Sequence, residues 1–146
     1  MKISTLLLMA GLHFIAMYFL MYAMINQIGY LYLNINNAYM AALMTAPMLI
    51  IEIILMRSMY ENKRAIAAVF IGSIIVLGGA FFAIRKQTAV GDSEFLRSMI
   101  PHHSGAILMC REARLEDPEV QELCDSIVQS QQTEIDQMER ILKRLE

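Results

Sequence analysis

Tryptophan is absent from this 146-residue chain, cysteines number 2, prolines 3, and only 18% of residues carry charge. With a net formal charge of −2, so little charge excludes a disordered chain and a nucleic-acid binder. Neither cysteine lies in a C-x-x-C motif, which argues against a thiol oxidoreductase. There is no Gly-rich phosphate loop, no Ser/His/Asp nucleophile motif and no Glu-x-x-His, the mark of di-iron helical bundles. The expectation is a protein that is not an enzyme. What is abundant is apolar: 57% of residues are hydrophobic and 13 are Met, and mean hydropathy is +0.46. A simple soluble globule does not have that composition.

The apolar excess lies before Arg85. Ile3–Ile25 runs for 23 residues without an Asp, Glu, Lys or Arg, Ala38–Met56 for 19 with only Glu52, and Ala65–Ile84 for 20. At about 1.5 Å per residue each can cross a hydrocarbon core of about 30 Å. The first run is too long for a signal peptide and no cleavage site follows it. The reading is a membrane domain over residues 1–84, a linker over 85–91 and a hydrophilic domain over 92–146. Lys2, Arg57, Lys63 and Arg64 fall on one side of three spans, against Arg85 and Lys86 on the other. That bias predicts a cytoplasmic N-terminus and a tail outside, in a bacterium the periplasmic face of the inner membrane. Tyr30, Tyr32 and Tyr39 would then form an outer aromatic belt and Tyr60 an inner one.

Residues 85–146 hold 8 Lys/Arg and 12 Asp/Glu. Two helical patterns follow the linker. The first runs from about Asp92 to Leu115, with a kink expected at Pro101, whose missing N–H frees the carbonyl of Arg97. The second opens at Asp117-Pro118-Glu119, an acceptor cap, a proline at the first helical position and an acid in the first turn. At 100° per residue, Val120, Cys124, Ile127, Gln131, Glu134, Met138, Ile141 and Leu145 form one stripe. Met99, His102, His103, Ala106, Met109 and Cys110 form the matching one. Folding about Asp117 pairs Cys110 with Cys124 and His103 with Gln131, and sets Met99 or Ile100 beside Glu134 or Ile135. Fifty-five residues in two helices cannot bury an adequate core, so a second copy is expected to complete a four-helix bundle.

The run Met99-Ile100-Pro101-His102-His103-Ser104-Gly105-Ala106-Ile107-Leu108-Met109, with Gln131-x-x-Glu134-Ile135-x-x-Met138 after it, resembles the family of domains of unknown function numbered 305. The resemblance implies a ferritin-like helical fold and, from periplasmic relatives, copper binding. It points to His102, His103, Met99, Met109 and Met138 as ligands, with Glu134 nearby. The membrane segments resemble, more weakly, the anchors of some relatives. Longer relatives carry the hairpin twice, which strengthens the case for assembly between chains.

Thioethers are soft ligands that select Cu(I) or Ag(I), and imidazole also serves copper. Singly, Met fills gaps in a core and the His pair is satisfied by Gln131 and Glu134; together, these residues favour a metal site. Cys110 and Cys124 fit a disulfide in an oxidising compartment, free thiols in the core, or secondary ligands. Met9, His13, Met17, Met21 and Met24 share an arc of the first span, and Met40, Met44, Met48, Glu52, Met56 and Met59 step along the second. They suit a path for a soft ion, although flexible packing with Glu52 protonated or paired to His13 is the plainer reading. The sequence thus predicts an all-α membrane protein: three transmembrane helices and a ferritin-like hairpin. Its expected roles are Cu(I)/Ag(I) storage, delivery or tolerance, alone or with a metal-handling partner protein. The alternative is a scaffold whose tail drives oligomerisation without metal.

Overall fold

The computed structural model describes residues 2–146, and among them there is no strand. Five α-helices follow in order: α1 (Ile3–Leu20), α2 (Ile35–Met56), α3 (Lys63–Lys86), α4 (Asp92–Glu112) and α5 (Pro118–Leu145). Short 3-10 turns at Met21–Met24, Ile28–Tyr30 and Arg57–Met59 link the first three. The chain divides into two compact units. One takes in residues up to Met21 and Asn36–Thr88; the other combines Tyr22–Ile35 with Ala89–Glu146.

The first unit holds three helices long and apolar enough to cross a membrane, over Ile3–Met24, Ile35–Met59 and Lys63–Lys86. Outward-facing Leu8, Leu12, Phe19, Ile51, Leu55, Ile75 and Phe82 are exposed, as a surface against lipid tails requires. Leu6, Ile53, Tyr60 and Ile66 form the buried contact among the three helices. Asn62 starts α3 by accepting the N–H of Ala65 at 3.0 Å. The helix stops where Gln87 turns left-handed (φ 49°, ψ 46°) and Thr88 N–H returns to the Ala83 carbonyl.

In the second unit the hairpin is built as its punctuation directs. Asp117 accepts from the N–H groups of Glu119 and Val120, at 2.9 and 3.1 Å, with Pro118 at the first helical position. α4 ends at Glu112, before the expected Leu115, and Cys110 is bridged to Cys124 with Cα atoms 5.3 Å apart. Of the three cysteine states that fit the sequence, the disulfide is the one present. α4 is a single helix through Pro101.

The hairpin core differs from the expected stripes. Its centre is Leu96, Ile100, Ile107, Ile135, Met138 and Leu142, joined by Tyr30 from the segment between α1 and α2. The buried face of α5 is therefore rotated by somewhat less than one residue from the stripe through Cys124, Glu134 and Ile141. Val120 and Leu145, two members of that stripe, are exposed. The physical reason is a third layer. Residues 22–35 lie on the hairpin, so α5 packs against α4 on one flank and against Tyr30 and Tyr32 on the other. Gln132 Nε2 donates to the Tyr30 hydroxyl at 3.0 Å, and the Tyr32 hydroxyl donates to Glu139 at 3.2 Å.

Candidate metal centre

Two adjacent residues of α4 fix the third layer beside the candidate site. Ser104, fully buried, accepts from Asn26 N–H at 2.8 Å and donates to Asn26 Oδ1 at 2.6 Å. Gly105 brings the helix close to the backbone of Met24, where a Cβ would lie 3.5 Å from the carbonyl oxygen. Glu94 accepts the N–H of Ile35 at 2.9 Å at the far end of the segment. The site thus stands on three chain segments.

His103, only 7% exposed, sits just before this anchor. Its Nδ1 lies 3.0 Å from the Met99 carbonyl oxygen, and its Nε2 lies 2.7 Å from Glu134 Oε2. A carbonyl can only accept, so Nδ1 carries a proton and donates. Glu134 Oε1 accepts from Ser130 at 3.2 Å, and the Glu134 side chain is about half exposed (49%). One side of the pair is therefore core and the other is open to solvent.

Cys110 keeps its expected level with Cys124, whereas His103 reaches Glu134, three residues beyond the expected Gln131. Met99 precedes His103 by four residues and Met138 follows Glu134 by four, so antiparallel pairing sets Met99 level with Met138. Met138 belongs to the buried core and Met99 packs against it.

Two expected ligands lie elsewhere. Met109 is 54% exposed. His102 is also exposed, with its ring 6.0 Å from that of His103. Neighbouring helical residues point about 100° apart, which is why one of the two histidines enters the seam and the other leaves it. Cys110 and Cys124 offer no thiolate while bridged. Among the described residues, no three His, Cys, Asp or Glu side chains converge into a group able to hold a metal ion. The one donor pair in contact is the His103 imidazole with the Glu134 carboxylate, while Met138 lies in the core and Met99 packs against that core.

The membrane residues singled out by the sequence are dispersed. Met9, Met24, Met40, Met44 and Met59 are exposed, whereas His13, Met17, Met21, Met48 and Met56 are half-buried. Glu52 accepts from the Tyr60 hydroxyl at 3.1 Å, so its partner is Tyr60 and not the expected His13. The most consequential residues that the sequence reading missed are Asn26, Ser104 and Gly105. Their one signal was the absence of any charge between Asn26 and Asn37, unusual for a loop exposed to water.

The profile of the family described as Domain of unknown function (DUF305) matches residues 83–142, which span α4, the bridge and most of α5. The full chain is also similar to the Uncharacterized protein L153 of Acanthamoeba polyphaga mimivirus. The two are 37% identical over 145 residues, covering 97% of this chain and 93% of the viral one. The chain belongs to the DUF305 family. The viral relative covers the membrane helices of this DUF305 protein as well as its hairpin. No solved structure gives a significant match.

Proposed function

We propose that this DUF305 protein holds a soft monovalent cation, Cu(I) or Ag(I), at the non-cytosolic face of a membrane, for storage, delivery or tolerance. The observation that carries the reading is the contact of His103 with Glu134, each four residues along its helix from a methionine, Met99 and Met138. His103 is oriented as metal-bound histidines are, with Nδ1 on the Met99 carbonyl and Nε2 turned to Glu134, where a metal would stand. A cation entering from the open side would come between His103 Nε2 and the Glu134 carboxylate. Thioethers from Met99 and Met138 would then make the site selective for soft ions. A metal-handling partner protein would exchange the ion across the half-exposed Glu134.

Orientation belongs to the same proposal. Three spans put the Tyr22–Ile35 segment and the hairpin on one side, which their packing requires, and the Lys/Arg bias makes the other side cytosolic. The Cys110–Cys124 disulfide supports an oxidising compartment for the hairpin. The viral source of the relative lends no weight to a bacterial inner membrane, so the proposal keeps the side and leaves the membrane open. A homodimer remains part of it, with exposed Val120 and Leu123 on α5 as contact residues. The same two residues favour the second reading, a scaffold that assembles through the hairpin without metal.

The test is competition for Cu(I) against a chromogenic chelator under anaerobic conditions, with the full-length protein in detergent. The full chain is needed because Tyr22–Ile35 is part of the hairpin unit. His103→Ala should weaken binding at least tenfold, about 1.4 kcal/mol. His102→Ala and Met109→Leu should change it by less than about threefold. Folded protein that fails to compete at all makes the His103–Glu134 pair structural and leaves the scaffold reading.

A further inference from the structure

The turn between α2 and α3 carries a second candidate site, which owes nothing to the metal reading. An open groove of about 570 Å³ runs between the end of α2 and the first turns of α3. Its walls are Ile53, Ile54, Ile66, Phe70 and Ile71, and Arg57 supplies its one charged side chain. Ile54 and Ile71 are each 57% exposed, so in a membrane the groove must be covered by something apolar.

The charge at its end is mainly positive, Arg57, Lys63 and Arg64 against Glu61. The ion pairs among the described residues are Arg97–Glu146 and His103–Glu134, so Arg57 has no carboxylate partner. Lys63 Nζ donates to the Arg57 carbonyl at 2.7 Å, which holds a second cation beside the first, and Arg64 follows. Glu61 is the one acid in the turn, and Glu52, back along α2, is engaged by Tyr60. The positive end of the α3 dipole falls at Lys63, where Asn62 caps the N–H of Ala65. Apolar walls that end in unpaired cations, at the point where a helix leaves the hydrocarbon, match an acyl chain that ends in a phosphate.

We infer that the groove between α2 and α3 binds an anionic phospholipid. One acyl chain lies along Ile54, Phe70 and Ile71, and the headgroup phosphate is held by Arg57 with help from Lys63 and Arg64. Arginine suits the role because its planar fork binds phosphate oxygens two at a time.

Native mass spectrometry of the full-length protein, offered phosphatidylglycerol and phosphatidylcholine of identical chains, tests this directly. Phosphatidylglycerol should be retained at least fivefold more than phosphatidylcholine. Arg57→Gln should cut that preference at least threefold, Arg57→Lys should keep most of it, and Arg85→Gln, at the other end of α3, should leave it intact. Ala67→Leu, which narrows the groove, should reduce retention of both lipids. Circular dichroism melts establish that each variant is folded, and the headgroup comparison in the unaltered protein needs no variant. Equal retention of the two lipids overturns the proposal, as does an equal loss in Arg57→Gln and Arg85→Gln. So does a protein dimer without lipid that dissociates in Ala67→Leu, which would put a second copy in the groove.

Discussion

Gly105 and Ser104 show how single positions on α4 decide whether the third layer can dock. A Cβ on Gly105 would meet the Met24 carbonyl at 3.5 Å and Met24 Cβ at 3.7 Å, ordinary contact distances. Gly105→Ala should therefore be tolerated, and the better helix propensity of alanine should stabilise the protein by up to about 1 kcal/mol. Gly105→Leu has no such room and should cost about 1–3 kcal/mol by pushing the segment away. Ser104→Ala would leave the Asn26 N–H and Oδ1 without their partner, next to an Asn26 Nδ2 that is already buried and unpaired. Its cost should be about 1–3 kcal/mol. Urea unfolding of the detergent-solubilised protein, followed by tyrosine fluorescence, ranks the three; Ser104→Ala more stable than Gly105→Ala would refute the assignment. Tyr32 adds a pH signature. Burial, then the neighbouring Glu139 carboxylate, pushes its phenol above the usual value near 10. A raised folded pKa means that its contribution is complete below the unfolded value and is lost as pH climbs through the folded one. Stability should thus fall above about pH 10, and Tyr32→Phe should flatten that alkaline limb.

At the scale of elements, the hairpin is held by its cap and its bridge. Asp117→Ala removes the acceptor for two N–H groups and should cost about 1 kcal/mol. Cys110→Ser with Cys124→Ser opens a short covalent loop, and the loss should be about 3 kcal/mol on chain-entropy grounds. Dithiothreitol should reproduce that loss in the unaltered protein and add nothing in the double variant; a larger effect there would mean the bridge is not the source. These elements were the legible ones. Uncharged runs, an Asp-Pro-Glu start and periodic stripes are local signals, and they disclosed three long apolar helices, the hairpin and the level at which Cys110 meets Cys124. The docking of residues 22–35 was not legible because it rests on pairs 78 and 107 residues apart, Asn26 with Ser104 and Tyr32 with Glu139. Helix periodicity cannot register a non-helical layer. His103 meets Glu134 rather than Gln131, and His102 and Met109 are exposed.

For the whole molecule, the shared unit of Tyr22–Ile35 and the hairpin links the packing to membrane topology. A segment after the first span and a domain after the third share a side whichever way the protein is inserted, provided that all three apolar helices cross. If α2 and α3 lay along the surface instead, the turn at Arg57–Asn62 would share that side too. Single cysteines in a Cys110→Ser, Cys124→Ser background separate these cases. Gln27 and Ser58 are both exposed, one in the docked segment and one in the basic turn. In sealed vesicles, a membrane-impermeant maleimide added outside should label only one of Gln27→Cys and Ser58→Cys until detergent opens the vesicle. Where Gln27→Cys is the labelled one, outside trypsin should also remove the tail beyond Lys86, since residues 22–35 contain no Lys or Arg and the tail contains several. Labelling of both cysteines from one side would remove the three-span arrangement.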